Sequence, residues 1–207
     1  MRNAPLIARV VTLIVTLLVP ITQAQSQAMP RGDSLRTGDI VLTGNDSAWA
    51  FFARRFADHD PRWSHAGLVL REGEKVAVVH MDGSPAGGRI RRESVAAFTG
   101  EARHVKVVRP SLDHGQRALI GDWLLDHLAR QTTFDTRFRL DDDPSFYCSE
   151  LVWRALDRVG LTPGDETLPR VAGRVFVPVD RLVTLGRVAG RVVAGPDVAA
   201  SAVAGAR

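Results

Sequence analysis

The chain's single cysteine, Cys148, and two of its six histidines, His65 and His80, are the residues best suited to nucleophilic chemistry. Cys148 stands in Ser145-Phe146-Tyr147-Cys148-Ser149-Glu150-Leu151-Val152-Trp153. Apolar residues follow at Leu151, Val152, Ala155, Leu156 and Val159, the one-face spacing of an amphipathic helix. Asp143, Pro144 and Ser145 supply helix-start signals just ahead of it, so the sulfur falls in the first turn or so. Unpaired backbone N–H groups and the positive end of the helix dipole favour an anion there. A thiolate is such an anion, and a cysteine so placed is expected to have a lowered pKa. The same stripe would equally accept Cys148 as a small buried hydrophobe.

A cysteine nucleophile needs a base to take its proton and a third group to hold that base in one tautomer. His65 is the best base: it opens a strand after Trp63-Ser64 and before Ala66-Gly67, whose small side chains let another element approach. If Leu70 and Val76 flank the turn of an antiparallel hairpin, His65 and His80 become neighbours, and His80 is the third group. Taken singly, each is more simply a satisfied strand histidine. His59 reads as a loop residue, and His104, His114 and His127 as surface or helix-flank residues. Glu150, two helix positions past Cys148, should point away from the thiol into a surface or structural ion pair. His59, His65, His80, Asp82 and Cys148 are a rival metal-ligand set. However, the chain carries neither HExxH nor paired cysteines, so no metal and no cofactor is expected. It has no P-loop, no glycine-rich dinucleotide motif and no G-x-S-x-G.

The elements that must position these residues read as follows. Gly38 to Thr43 is a short buried strand, and Ala48 to Ala57 a helix capped by Asp46 or Ser47. Ser64 to Leu70 and Val76 to Met81 form the hairpin around Gly73. Arg89 to Arg92 is an edge strand, Glu93 to Phe98 a short helical turn, and His104 to Arg109 a strand stopped by Pro110. Asp113 starts the clearest helix, which runs to about Gln131 with Leu119, Ile120, Trp123, Leu124 and Leu128 inward. A polar loop from Thr132 to Asp143 leads to the cysteine helix. Val175 to Pro178 and Val188 to Val193 read as late strands. A helix, a run of strands and then helices make an α+β fold.

Arg2 and Arg9, the apolar run Val10 to Ile21 and the small residues after it read as a secretory signal peptide, residues 1–24, cut after Ala24 or else Ala28, with an uncleaved N-terminal anchor as the competing reading. Residues 25–194 then form one domain, large enough for a core without disulfides, and 195–207 an Ala/Gly/Val-rich tail expected to be disordered. The protein would act in the periplasm or outside the cell. A lone thiol in such an oxidising compartment is buried, intermolecular or reactive. Without the leader, 25 basic residues face 23 acidic ones, interspersed along the chain, which is no nucleic-acid footprint.

Gly38-Asp39-Ile40-Val41, Trp63-Ser64-His65-Ala66-Gly67-Leu68-Val69 and Phe146-Tyr147-Cys148-Ser149-Glu150-Leu151-Val152 together resemble the circularly permuted NlpC-type papain-like proteins, in their YiiX/YebB-like branch. There the histidine strand precedes the cysteine helix. The resemblance covers roughly Arg36 to Val179. It implies an α+β papain-like fold with an antiparallel sheet packed against helices. It also implies Cys148 as nucleophile, His65 as base, His80 at the third position and the Cys148 N–H as an oxyanion donor. Trp63, Ser64 and Tyr147, beside the catalytic pair, would line the cleft. A histidine at the third position resembles the related lecithin:retinol-acyltransferase-like branch. The implied activity is amide hydrolysis through a thioester. Its substrate would be a cell-wall peptide, an N-acyl amino acid or a lipid-like compound, met close to a membrane or cell wall. A lipid acyltransferase or thioesterase, and a catalytically silent binding module of the same fold, are the alternatives.

Overall fold

The structure, a computed structural model, describes residues 34–46, 53–140, 144–171 and 173–193. The expected leader, most of the lead-in after it, the tail, Ala48 to Phe52 of the first helix and Asp141 to Asp143 lie outside the described residues.

Alternation of apolar residues with period 2 builds the sheet. Strands β1 (Ile40–Gly44), β2 (His65–Glu72), β3 (Lys75–Ser84), β4 (Gly87–Ser94), β5 (His104–Arg109) and β8 (Arg187–Val193) form one antiparallel sheet in the order β4-β3-β2-β1-β5-β8. Two-residue strands β6 (Arg170–Val171) and β7 (Arg174–Val175) pair separately. The β2–β3 turn places Gly73 at a φ of 60°, a left-handed conformation that suits glycine. Central β1 is buried along its whole length because both of its faces are covered.

On one face, Ile40, Leu42, Ala66, Leu68, Leu70, Val79 and Met81 pack against two helices. These are α2 (His114–Ala129) and α3 (Cys148–Asp157), which contribute Ile120, Leu124, Leu151, Val152, Ala155 and Leu156. On the other face Val41, Val69, Val78, Val105 and Val107 meet Leu35 and Phe98, the latter from the short helix α1 (Val95–Thr99). The chain is thus α+β, as its element order implies.

Asp113 caps α2 through a reciprocal pair of bonds, Gln116 N to Asp113 Oδ1 at 2.8 Å and Asp113 N to Gln116 Oε1 at 3.0 Å. The expected inner stripe of α2 holds for Ile120 and Leu124 but fails at Leu119, which is 60% exposed. The helix touches the sheet along a narrow line, and Leu119 sits one position off it.

Two buried carboxylates tie distant segments together. Asp39 accepts from Arg109 Nε at 2.9 Å and Nη2 at 2.6 Å, clamping the start of β1 to the end of β5. Asp180, in the 3-10 turn Val179–Leu185, accepts from the backbone N–H groups of Asp58, His59 and Asp60 at 3.1, 2.6 and 2.9 Å. Asp60 in turn accepts from Trp63 Nε1 at 2.9 Å. This chain of bonds fixes the segment that delivers His65 to the sheet.

Candidate active site

Strand register explains why the two histidines meet. Gly67 of β2 pairs with His80 of β3, and His65 lies two residues back on the same face. A Cβ on Gly67 would sit 2.5 Å from Val78 Cγ1 and 3.1 Å from His80 Cβ. Glycine therefore leaves the space over which the His80 ring leans toward His65. His65 Nε2 and His80 Nδ1 are 2.9 Å apart, with the rings perpendicular and their centroids separated by 5.1 Å. Phe98 closes over both rings, at centroid distances of 5.4 and 4.9 Å.

Cys148 occupies the first helical position of α3, one residue after the N-cap Tyr147. The sulfur therefore falls in the first turn, as its start signals imply, although the cap is Tyr147 rather than Asp143. Two side chains staple this start to the segment around Val177. Tyr147 Oη accepts from the Val177 N–H at 2.9 Å, and Ser149 Oγ donates to the Val177 carbonyl at 2.7 Å. The Tyr147 ring also stacks on Phe176, 5.1 Å away and 5° from parallel. Glu150, expected in a surface or structural ion pair, is fully buried. Its Oε1 lies 3.8 Å from Arg154 Nε, one helical turn along, and its Oε2 accepts from the Tyr147 N–H at 3.4 Å. It acts as part of the helix start.

The thiol is half-buried and packs with the helix-side core, whereas the two imidazoles lie on the opposite face with Phe98. The contact between the two groups runs through the end of β2. The backbone N–H of Ala66, the residue after His65, points to the sulfur and favours its thiolate, as do the N–H groups of Ser149 and Cys148 itself. Among the described residues no hydrogen bond joins the sulfur to either ring. His80 occupies Nε2 of His65, which leaves Nδ1 as the other ring nitrogen.

Electrostatics runs against the lowered thiol pKa expected from a helix start. Burial pushes the Cys148 thiol up to about 11, more than its backbone donors lower it. Burial, then the neighbouring His80, takes His65 down to about 3. Burial also lowers His80, while the carboxylates of Glu93 and then Asp82 draw it back up. At neutral pH the resting site therefore holds a thiol and two neutral imidazoles. A helix terminus supplies only a partial positive charge, which does not offset removal of a thiolate from water.

Trp63, Ser64 and Tyr147, expected to line the cleft, are 2%, 4% and 1% exposed. Their side chains belong to the core around the site and offer no open wall to a bound molecule. Among the described residues, no group of three or more His, Cys, Asp or Glu side chains is arranged to hold a metal. The sequence reading missed Glu93. It assigned that residue to a helical turn, but Glu93 belongs to β4, paired with Val78, and its Oε2 is 3.5 Å from His80 Nε2. The alternation Arg89, Arg91, Glu93 along β4 carries the signal that puts it on the face of His80.

No protein-family model matches the chain, and no curated protein matches it either. Among solved structures it is similar to the metalloprotein YiiX from Escherichia coli O157:H7, at 22% identity and a TM-score of 0.49. The overlap covers 60% of this chain and 66% of that one, so the chain spans just under two thirds of YiiX.

Proposed function

We propose that this protein is a cysteine hydrolase of the papain-like kind, acting outside the cytoplasm on an amide bond of a cell-wall peptide or an N-acyl compound. The observation that carries this reading is the 2.9 Å contact of His65 Nε2 with His80 Nδ1, on a strand whose next residue, Ala66, turns its N–H to the cysteine that opens a helix. In such a site Cys148 Sγ attacks the carbonyl carbon as its proton passes to His65 Nδ1. The Cys148 N–H faces the developing oxyanion. Collapse expels the amine, which takes the proton back from His65 and leaves a thioester. Water, deprotonated by His65, then attacks the thioester and regenerates the thiol. His80 holds the His65 ring and spreads the positive charge that forms on it.

The raised thiol pKa favours a second reading, a silent binding module of the same architecture. Incubation with activated acyl esters and N-acyl amino acids, followed by intact-mass and peptide spectrometry, separates the two. A hydrolase acquires an acyl group on Cys148 that His65→Ala slows by about 100-fold or more, the lower range of general-base contributions. His80→Ala should slow it less than His65→Ala. Acylation absent from Cys148, or unchanged in His65→Ala, would leave the binding module. Capture of the acyl group by an added amine faster than by water would assign a transferase.

A further inference from the structure

We infer that Glu93 is a positioning residue that sets the tautomer of both imidazoles, so that Nδ1 of His65 is left as a proton acceptor. His80 Nε2 is buried and has no closer partner among the described residues than Glu93 Oε2, 3.5 Å away. A carboxylate only accepts, so it favours the His80 tautomer that carries its proton on Nε2. His80 Nδ1 is then an acceptor and can only take the proton from His65 Nε2 across the 2.9 Å contact. His65 in turn keeps its proton on Nε2 and presents a bare Nδ1. One carboxylate thus orders two rings in series.

Register supports the same chain of contacts. His65 is diagonal to His80 across β2 and β3, and Glu93 is diagonal to His80 across β3 and β4, all on one face. The groups facing His80 are His65 from β2, Glu93 and Arg91 from β4, Asp82 from its own strand, and the uncharged Phe98 from α1. Asp82 is drawn off by Arg91, whose Nε lies 2.6 Å from its Oδ2. Glu93 remains as the carboxylate that reaches the ring.

The geometry stands without the hydrolase reading, and its catalytic consequence rests on that reading. Histidine 15N spectra of the full chain at pH 7.5 report which ring nitrogen carries the proton. Both rings of the native protein should carry it on Nε2. Glu93→Gln should give mixed tautomers at His80 and His65. It should also slow iodoacetamide alkylation of Cys148 by about 10-fold, the low end of what removing the outer partner of a metal-bound histidine costs, with little change in melting temperature. Glu93→Asp, which keeps the charge, should recover part of the rate and the native tautomers.

A native His80 with its proton on Nδ1 would overturn the proposal. So would a Glu93→Gln protein with native spectra and native alkylation. If Glu93→Gln fails to fold, the native tautomers decide alone. Alkylation as fast in His65→Ala as in the native protein would sink the hydrolase reading and leave the tautomer result standing.

Discussion

Lowering the pH from 7 to 4.5 should destabilise this protein through His65, and replacing that residue by glutamine should remove that part of the loss. Burial holds His65 at about 3 in the folded state, against about 6.5 for a histidine in the unfolded chain. A depressed value means that the unfolded chain binds the proton first. Stability is therefore whole above about pH 6.5 and drains away as the pH falls toward 3. At pH 4.5 the unfolded group is two units below its midpoint, which corresponds to about 2.7 kcal/mol if the folded ring stays neutral. The ring keeps some contact with solvent, which reduces the expected loss to about 1–2 kcal/mol. Urea unfolding followed by tryptophan fluorescence is the assay, since Trp63 and Trp153 are both buried. With a slope of about 2 kcal/mol per molar urea, the native midpoint should fall by about 0.5–1 M more than that of His65→Gln between the two pH values. Carboxylates elsewhere titrate alike in both proteins and cancel in the difference. Equal losses would mean that His65 takes a proton as readily as a free imidazole. The burial account of its lowered pKa would then be wrong.

Tyr147→Phe keeps the ring on Phe176 but strips the acceptor from the buried Val177 N–H, a loss of about 1–3 kcal/mol. For a domain of this size that lowers the melting temperature by roughly 2–12 °C, and an unchanged calorimetric midpoint would show the bond to be dispensable. Gly67→Ala drives a methyl into Val78 and against His80, costing about 1–3 kcal/mol. It should also separate the two rings, so Cys148 alkylation should slow by more than in an equally destabilised variant remote from the site.

The sheet was legible because its strands are written plainly. His104 to Arg109 is a strand with the predicted ends, and the hairpin around Gly73 follows from charged turn residues between two apolar runs. From that hairpin the proximity of His65 and His80 could be read, though not the parity of their faces, because a slip of one residue reverses every side chain. Partners separated by more than a hundred residues left no local trace. Nothing around Asp180 announces that it collects three N–H groups from Asp58, His59 and Asp60. Tyr147 was misjudged for a related reason. An aromatic residue next to a nucleophile looks like a cleft wall until the Val177 N–H and Phe176 are known to occupy it. The thiol's pKa was misjudged because a sequence displays the helix start but not the depth at which it is buried.

A neutral resting pair is compatible with the proposed chemistry only if charge appears during attack and finds support at both ends. In the proposed chemistry positive charge arises on His65 as it takes the thiol proton. It is shared through the 2.9 Å contact with His80, whose far nitrogen faces Glu93. Negative charge arises on the carbonyl oxygen at the start of α3, where the Cys148 N–H and the positive end of the helix lie. In that chemistry the positive charge is supported from the Glu93 side and the negative charge at the helix terminus. Burial that raises the thiol and lowers the imidazole penalises isolated charges most, and a pair formed together and flanked by opposite partners is penalised less. The same burial that keeps Cys148 quiet at rest therefore does not by itself argue against turnover. Removing the carboxylate at one end should slow acylation without changing how the free thiol packs.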